Sequence, residues 1–332
     1  MDHKIWDAVI VGGGYAGTSA AIYIARATRS VLVLDAGQSI GAWEPKVENF
    51  FGFPESISGK ELLDRGRLQA EKFGAKFVED TIVDGMKENE AFLLKGKKGD
   101  YRGSRCLLAT GALHIPPDIP EVNSCLGVSM FFCKDCDGLK VRGKRVAVIG
   151  SNNDAVEYAL GLSLYSGCVV VLTNGKTAGW DDEHAKWLQR YEVSCHTEKI
   201  TEVCHDSGQI SCVRFENGLC VEIEALFTTR GDIFHNGLAR SLGATLDEYG
   251  QIVTGSCGQT DIPGLFAAGC VTPANCQMIV AAGEGAAAGQ KINRSLFEES
   301  IVNGKLFDHR AVQIAREQTE PCVTKQPAPN HK

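Results

Sequence analysis

The chain has 332 residues, 44% of them hydrophobic and 23% charged, an ordinary globular balance with room for about two domains. A formal net charge of −7 argues against nucleic acid or an acidic membrane surface as the main partner, and no apolar run is long enough to cross a bilayer. Thirteen cysteines, an odd number spread along the chain, do not fit a secreted disulfide scaffold; most are expected to be buried, free and inert, because cysteine packs as a small hydrophobe.

Met1-Asp2-His3-Lys4 leads straight into the apolar stretch 5–11 without a secretory leader pattern, which favours a soluble, cytoplasmic protein. Residues 7–27, 144–164 and 265–293 share one pattern: an apolar strand, a glycine-containing turn, then a helix. The first two are each followed by another apolar strand, at 31–34 and 169–172. This alternation predicts an α/β fold with parallel sheets and two Rossmann-like domains. The stretch 114–120 carries three prolines and reads as a linker, with a second crossing near 242–249. The second domain, 117–246, is then inserted in the first, which comprises 1–116 and 247–310. The polar tail 311–332 is expected to lack order, with Cys322 as a spare thiol in it.

The first turn supplies G-x-G-x-x-G at Gly12, Gly14 and Gly17, after a strand and before a helix. Gly12 permits the tight turn, Gly14 lets the backbone reach a pyrophosphate, and Gly17 lets helix and strand pack closely. Ala16 lies within the turn. Asp35, followed by Ala36, ends the next strand at the spacing of a carboxylate that binds ribose hydroxyls. The helix start offers N–H groups and a positive dipole end to phosphates. These residues alone do not separate FAD from NAD.

Cys133-Lys134-Asp135-Cys136-Asp137-Gly138 contains C-x-x-C, which brings two sulfurs close enough to open and close a disulfide. A zinc site would need further ligands in register. Cys270 and Cys276 supply no second C-x-x-C, so no metal is expected. Lys134 could lower a sulfur pKa, whereas Asp135 and Asp137 would oppose that; Lys134 and Asp135 read most simply as a solvated turn. Asp137 is suited to carry a proton during dithiol chemistry.

The second turn, Gly150-Ser151-Asn152-Asn153-Asp154-Ala155, keeps the outer positions of G-x-G-x-x-A but has Asn152 in the middle, where backbone should approach a pyrophosphate. The following strand ends Leu172-Thr173-Asn174-Gly175-Lys176, with one positive charge and no acid for a ribose. A pyridine nucleotide is therefore not expected there. The stretch 179–188 reads as a helix in which Trp180, His184 and Trp187 pack or face solvent.

Several segments resemble the low-molecular-weight thioredoxin reductases, in the family's order and over about residues 5–297. Residues 47–54 resemble its V-E-N-F-P-G-F-P, Ala109-Thr110-Gly111-Ala112 its second nucleotide motif, and 263–269 with 277–285 its flavin-closing segment; C-x-x-C-D-G occurs at the corresponding place. The resemblance implies FAD, held by the first turn with Asn49, Ala109, Thr110, Gly111, Gly269, Cys270, Gln277 and Met278. It also implies Cys136 against the flavin, Cys133 meeting the substrate disulfide, Asp137 moving a proton, and a homodimer. Cys270 replaces the family's ribityl-holding aspartate. Gly41-Ala42-Trp43-Glu44 replaces Gly-Gly-Gln-Leu, with Trp43 either packed or stacked near the flavin. The family's His and Arg cluster for NADPH is missing.

The chain is thus similar to a branch lacking the NADPH motifs, of the ferredoxin-dependent or deeply rooted cyanobacterial type. Transfer from plant-type ferredoxin near −400 mV to thioredoxin near −270 mV would release about 6 kcal/mol for two electrons. The expected activity is reduction of a thioredoxin-like or small disulfide without NADPH. The alternatives are a dithiol oxidase that passes electrons to oxygen and a flavin redox sensor without turnover.

Overall fold

The computed structural model describes residues 4–229 and 231–319, and the chain divides into two compact units. The first comprises Met1–Ser39, Leu63–Gly111 and Asn236–Lys332, the second Ile40–Leu62 and Ala112–His235.

The first unit is built on a seven-stranded sheet, in the order Lys76–Glu79, Val31–Asp35, Ile5–Val11, Asp100–Leu108, Ala91–Gly96, Ile82–Glu88. Leu265–Ala267 also pairs with Asp100–Leu108. The apolar runs Ile5–Val11 and Val31–Asp35 lie parallel in its middle with Val9 opposite Leu32, and strands covered on both faces need no polar alternation. Ala8, Ile10, Val31 and Val33 face a cluster with Ala16, Ala20 and Ile24. Val9, Val11, Leu32 and Leu34 point the other way, toward Leu238 and Leu242, as a two-residue period requires.

Two helices cover the first of these faces, Tyr15–Arg26 and Met278–Val302. The longer one buries Ala281, Gly285, Ala288, Ile292 and Leu296, a spacing of three and four that keeps one face inward. A Cβ on Gly285 would lie 2.0 Å from the Ala16 carbonyl oxygen. Glycine there lets the two backbones touch.

The second unit carries a five-stranded parallel sheet: Ser194–His196, Cys168–Leu172, Arg145–Ile149, Ala225–Thr228, Met130–Phe131. An antiparallel sheet of Ile200–Asp206, Gln209–Phe215 and Cys220–Glu222 packs on it, joining Val203 and Val213 to Ala147 and Leu226. Ser207 and Gly208 make its first hairpin with φ of 50° and 84°, the left-handed pair that suits strand twist.

The fold departs from the sequence expectations at the domain boundaries, in the tail and in the burial of the cysteines. The expected linker begins as a strand: Ala112–Ile115 pairs with Gly231–Phe234, and it ends where Pro116 can donate no ladder hydrogen bond. The division between units falls at His235/Asn236 rather than at 242–249, because Leu242 and Leu246 pack in the first unit's core. Within the tail, Arg310–Glu317 is helical; residues 320–332, with Cys322, lie outside the described residues. Of the free cysteines described, only Cys106 and Cys125 are buried. Cys204 and Cys212 alternate with Val203 and Val213, which take the core face, so these thiols turn away from it. No helix among the described residues is long and apolar enough to cross a membrane.

Candidate functional site

The strand Ile5–Val11 ends in a turn that requires glycine. Gly12 has φ of +106°, and a Cβ there would sit 2.1 Å from the Ala109 carbonyl oxygen. A Cβ on Gly17 would sit 1.9 Å from the Gly12 oxygen. Strand end, helix start and the Ala109-Thr110 backbone are thereby drawn together. Gly14 is the N-cap of Tyr15–Arg26, with no side-chain cap and no acid in the first turn. Asp35 Oδ1 accepts from Gly13 N and Gly37 N, both at 3.2 Å, which holds the carboxylate beside the turn. Ala36 follows it, exposed, and Gly111 continues from Thr110 with φ of +70°. Donors for a pyrophosphate and a carboxylate for ribose hydroxyls fit a dinucleotide such as FAD.

A distant part of the chain adds to this turn. Gly269 (φ +82°) approaches Ala16; a Cβ there would lie 3.1 Å from the Ala16 Cβ. Gly269 N donates to Glu284 Oε2 at 2.8 Å, and Thr272 Oγ1 lies 3.4 Å from the same oxygen. Sequence reasoning missed Glu284; its signal is a lone acid in the small-residue stretch 281–289. Gln277 is the N-cap of Met278–Val302 and Met278 its first residue. Cys270 is disulfide-bonded to Cys276, with Cα atoms 4.9 Å apart. The spacing is no recognised motif; the loop closes because Thr272 N and Oγ1 both donate to Gly269 O at 2.8 Å.

In the second unit Cys133 and Cys136 are bonded, with Cα atoms 5.3 Å apart. Cys133 caps the single turn Lys134–Asp137, its Sγ accepting from Cys136 N at 3.1 Å. An N–H aimed at a sulfur favours its thiolate, so Cys133 is prepared for negative charge when the bond opens. Cys136 is the more exposed of the two, and Asn49 Nδ2 lies 3.9 Å from its Sγ. Asn49, expected at the cofactor, thus stands beside the redox pair. Tyr158 fixes the segment, accepting from Lys134 N at 2.6 Å and donating to Phe132 O at 2.9 Å. Lys134 Nζ pairs with exposed Asp135 at 2.7 Å, as a solvated turn would.

Asp137 is buried, and that burial raises its pKa against the opposing Lys140, whose Nζ is 2.7 Å away. Burial works to lower the Lys140 pKa, but Asp137 and Glu44, the latter at 3.3 Å, carry it upward. A carboxyl with raised proton affinity one residue past a sulfur's hydrogen-bond donor can store and release a proton. Trp43 is 69% exposed, so it does not pack in the core as one reading of the sequence held.

The second turn has lost one glycine requirement and kept another. A Cβ on Gly150 would meet Thr229 Oγ1 at 2.4 Å and Ala155 Cβ at 2.6 Å. Asn152 is the extended N-cap of Asn153–Leu162 (φ −120°, ψ −178°), and its Nδ2 donates to Asp154 Oδ2 at 2.9 Å. The segment after Cys168–Leu172 folds across this helix start. Gly179 N donates to Ser151 O at 2.7 Å, Asp181 N to Asn153 Oδ1 at 3.0 Å, and Asn153 Nδ2 to Asp181 Oδ2 at 2.9 Å.

Asp181 also caps Asp182–Arg190 through Glu183 N and His184 N. The His184 N–H and ring hold its pKa down to about 2, so it is ionised at neutral pH. The helix expected from 179 therefore starts at Asp182, and Trp180 packs in the unit's core. His184 is held by Asp181 at 2.7 Å and Glu157 at 3.2 Å. At the strand end Asn174 Oδ1 accepts from Ile200 N at 3.0 Å, and Thr173 Oγ1 donates to Lys176 O at 2.6 Å.

Two Rossmann-like units, the second bearing a C-x-x-C disulfide, define an oxidoreductase of the nucleotide-linked disulfide class. The family model described as pyridine nucleotide-disulphide oxidoreductase matches residues 6–286, and the chain belongs to that family. It is an enzyme of the flavoprotein disulfide oxidoreductase kind, and the family implies a flavin. A Bacillus subtilis thioredoxin reductase is 29% identical over 308 residues, covering 90% of this chain and 96% of the relative. The crystal structure of HlmI superposes with a TM-score of 0.84 at 26% identity, over 96% of this chain and 98% of that one. The atypical thioredoxin reductase TRi from Desulfovibrio vulgaris Hildenborough is 34% identical, with a TM-score of 0.51 over 89% of this chain and 99% of that one.

Proposed function

We propose that the protein binds FAD and exchanges two electrons between it and a disulfide–dithiol couple, on a thioredoxin-like protein or a small molecule, through Cys133 and Cys136 and without a pyridine nucleotide. The observation that carries the last clause is the pair of carboxylates, Asp154 and Asp181, hydrogen-bonded to Asn152 and Asn153 at the start of Asn153–Leu162. In a nucleotide-binding domain the pyrophosphate lies at that helix end, and two carboxylates there repel it.

FAD would be held by Gly12, Gly14, Ala16, Gly17 and Asp35, with Ala36, Ala109, Thr110, Gly111, Gly269, Cys270, Gln277 and Met278 around it. When bound, it supplies a two-electron couple. The chain's own residues handle sulfur and protons. A thiolate of an incoming dithiol attacks one sulfur of the Cys133–Cys136 bond and forms a mixed disulfide. The second thiol of the substrate displaces it, closing the substrate disulfide and leaving both protein cysteines reduced. The Cys136 N–H steadies the negative charge on Cys133, and Asp137, with Lys140 beside it, takes up or returns the proton. Run in reverse, the same steps reduce a disulfide. Ferredoxin is then a suitable donor, since its potential lies below that of thioredoxin. The relatives named thioredoxin reductase favour a thioredoxin-like partner.

An anaerobic panel tests this reading. Dithiothreitol and reduced ferredoxin should each bleach the flavin's visible absorbance within seconds, while NADPH and NADH should not. Rapid bleaching by NADPH at low concentration would overturn the exclusion of nucleotide. Cys136→Ser should retain flavin and lose the thiol-driven bleaching by about 100-fold or more, the scale of a missing catalytic nucleophile. An unchanged rate would remove Cys136 from the pathway.

A further inference from the structure

The Cys270–Cys276 bond has no part in the chemistry above. It closes a seven-residue loop between Leu265–Ala267 and Met278–Val302. The first half of that loop is anchored without it. Val271 and Thr272 are buried, Thr272 is tied to Gly269 and Glu284, and the Thr272 carbonyl accepts from Gln251 Nε2 at 2.8 Å. The second half is bound differently. Pro273 and Asn275 are exposed, and the bonds from Ala274 N to Thr272 O at 2.7 Å and from Gln277 N to Asn275 O at 2.8 Å stay within the stretch. The disulfide joins this second half covalently to the residue after Gly269, while the helix beyond it is tied to Gly269 separately, through Glu284. Both of its cysteines are only half-buried. Cys106, by contrast, is fully enclosed in the core, and burial pushes its pKa up to about 12.

We propose that Cys270–Cys276 is a second dithiol-exchange site, which latches the loop before Met278–Val302 when oxidised and releases it when reduced. One thiolate of a dithiol attacks one of the two sulfurs, the bond between them breaks, and a mixed disulfide forms. The second thiol of the same reagent then displaces the protein sulfur. The reagent ends as a disulfide; two electrons and two protons end on Cys270 and Cys276. A dithiol is favoured over a monothiol because closing its own ring completes the exchange. The class of molecule is the one proposed for Cys133 and Cys136, so the latch would report the state of the substrate pool. In its effect on flavin this inference rests on the proposed FAD site; in its chemistry it does not.

The test uses the full-length protein with Cys133→Ser and Cys136→Ser, so that the other disulfide is gone. The protein is incubated under argon with graded dithiothreitol, or with reduced thioredoxin, then quenched in acid, alkylated and digested. Cys270 and Cys276 should be unlabelled at the start and become labelled together, without denaturant, in step with added dithiol. Response to dithiothreitol alone assigns a small-molecule dithiol, and response to thioredoxin at lower concentration a protein one. Full labelling before any dithiol, or labelling only after unfolding, would overturn the proposal.

The second readout is flavin affinity. Loop ordering deferred from the disulfide to binding should weaken retention of FAD about tenfold on reduction. An unchanged affinity would remove the latch. Cys270→Ser with Cys276→Ser should reproduce the reduced state; should that variant fail to fold, alkylated parent protein serves instead. A preparation that binds no FAD at all defeats the proposed function, yet leaves the labelling experiment fully informative.

Discussion

Two of the chain's strand–turn–helix segments carry a nucleotide-type glycine turn, and these two have gone different ways. At residues 12–17 all three motif glycines survive, the helix start has no acid in its first turn, and Asp35 is held to one side by backbone N–H groups. At residues 150–155 one glycine survives, and the helix start is occupied by the chain's own side chains, with Asp154 and Asp181 bonded across it. What Gly150 does for packing is retained, since a Cβ there would strike Thr229 and Ala155. What the middle glycine does for a ligand is gone. A fold can keep the steric requirement of a motif while losing its binding requirement, because the two rest on different atoms.

The largest way to break this comparison is Gly17→Ala. Its Cβ would meet a backbone oxygen at 1.9 Å, which no side-chain adjustment relieves. We expect a loss of about 3 kcal/mol or more, and protein that retains no flavin, read by denaturant unfolding and colour. Gly150→Ala should cost less, about 1–3 kcal/mol, since the Thr229 hydroxyl can rotate away and only the Ala155 methyl must move with its helix. It should keep flavin. If Gly150→Ala also releases flavin, the two turns are not independent.

Asn152→Gly combined with Asp181→Asn should sharpen the contrast from the other side. Asparagine can still cap the helix that begins at Asp182, so the fold should hold. Removing a unit charge within roughly 8 Å of a phosphate is worth about 2 kcal/mol at an effective dielectric near 20, so NADPH should bind about thirtyfold tighter by calorimetry. No gain would mean that the crossing segment 179–181, rather than charge, closes the turn.

The smallest effect concerns pH. The hydrogen bond to Asp181 holds the His184 pKa above 6.5. A raised pKa means stability that is full below 6.5 and lost as pH rises through the folded value. Asp181 contributes above 3.8, and that contribution fades as pH falls toward about 2. His184→Ala should therefore flatten the drop in thermal midpoint above pH 6.5 and leave flavin colour unchanged. A parallel drop in the variant would remove His184 as its source.

The amino-acid sequence determined the features that depend on near neighbours. The buried strands are legible in their apolar runs, the glycine turns in their spacing, and the redox pair in C-x-x-C, because each follows from steric or covalent constraints within a few residues. Tertiary structure decided the rest. Asn49 reaches Cys136 across 87 positions, Asp181 reaches Asn153 across 28, and Glu284 reaches Gly269 across 15. Cys276 meets Cys270 only because Thr272 folds the loop back on Gly269. Such partners are created when helices and crossing segments pack on the sheets, and no local periodicity records which side chains that packing will bring face to face.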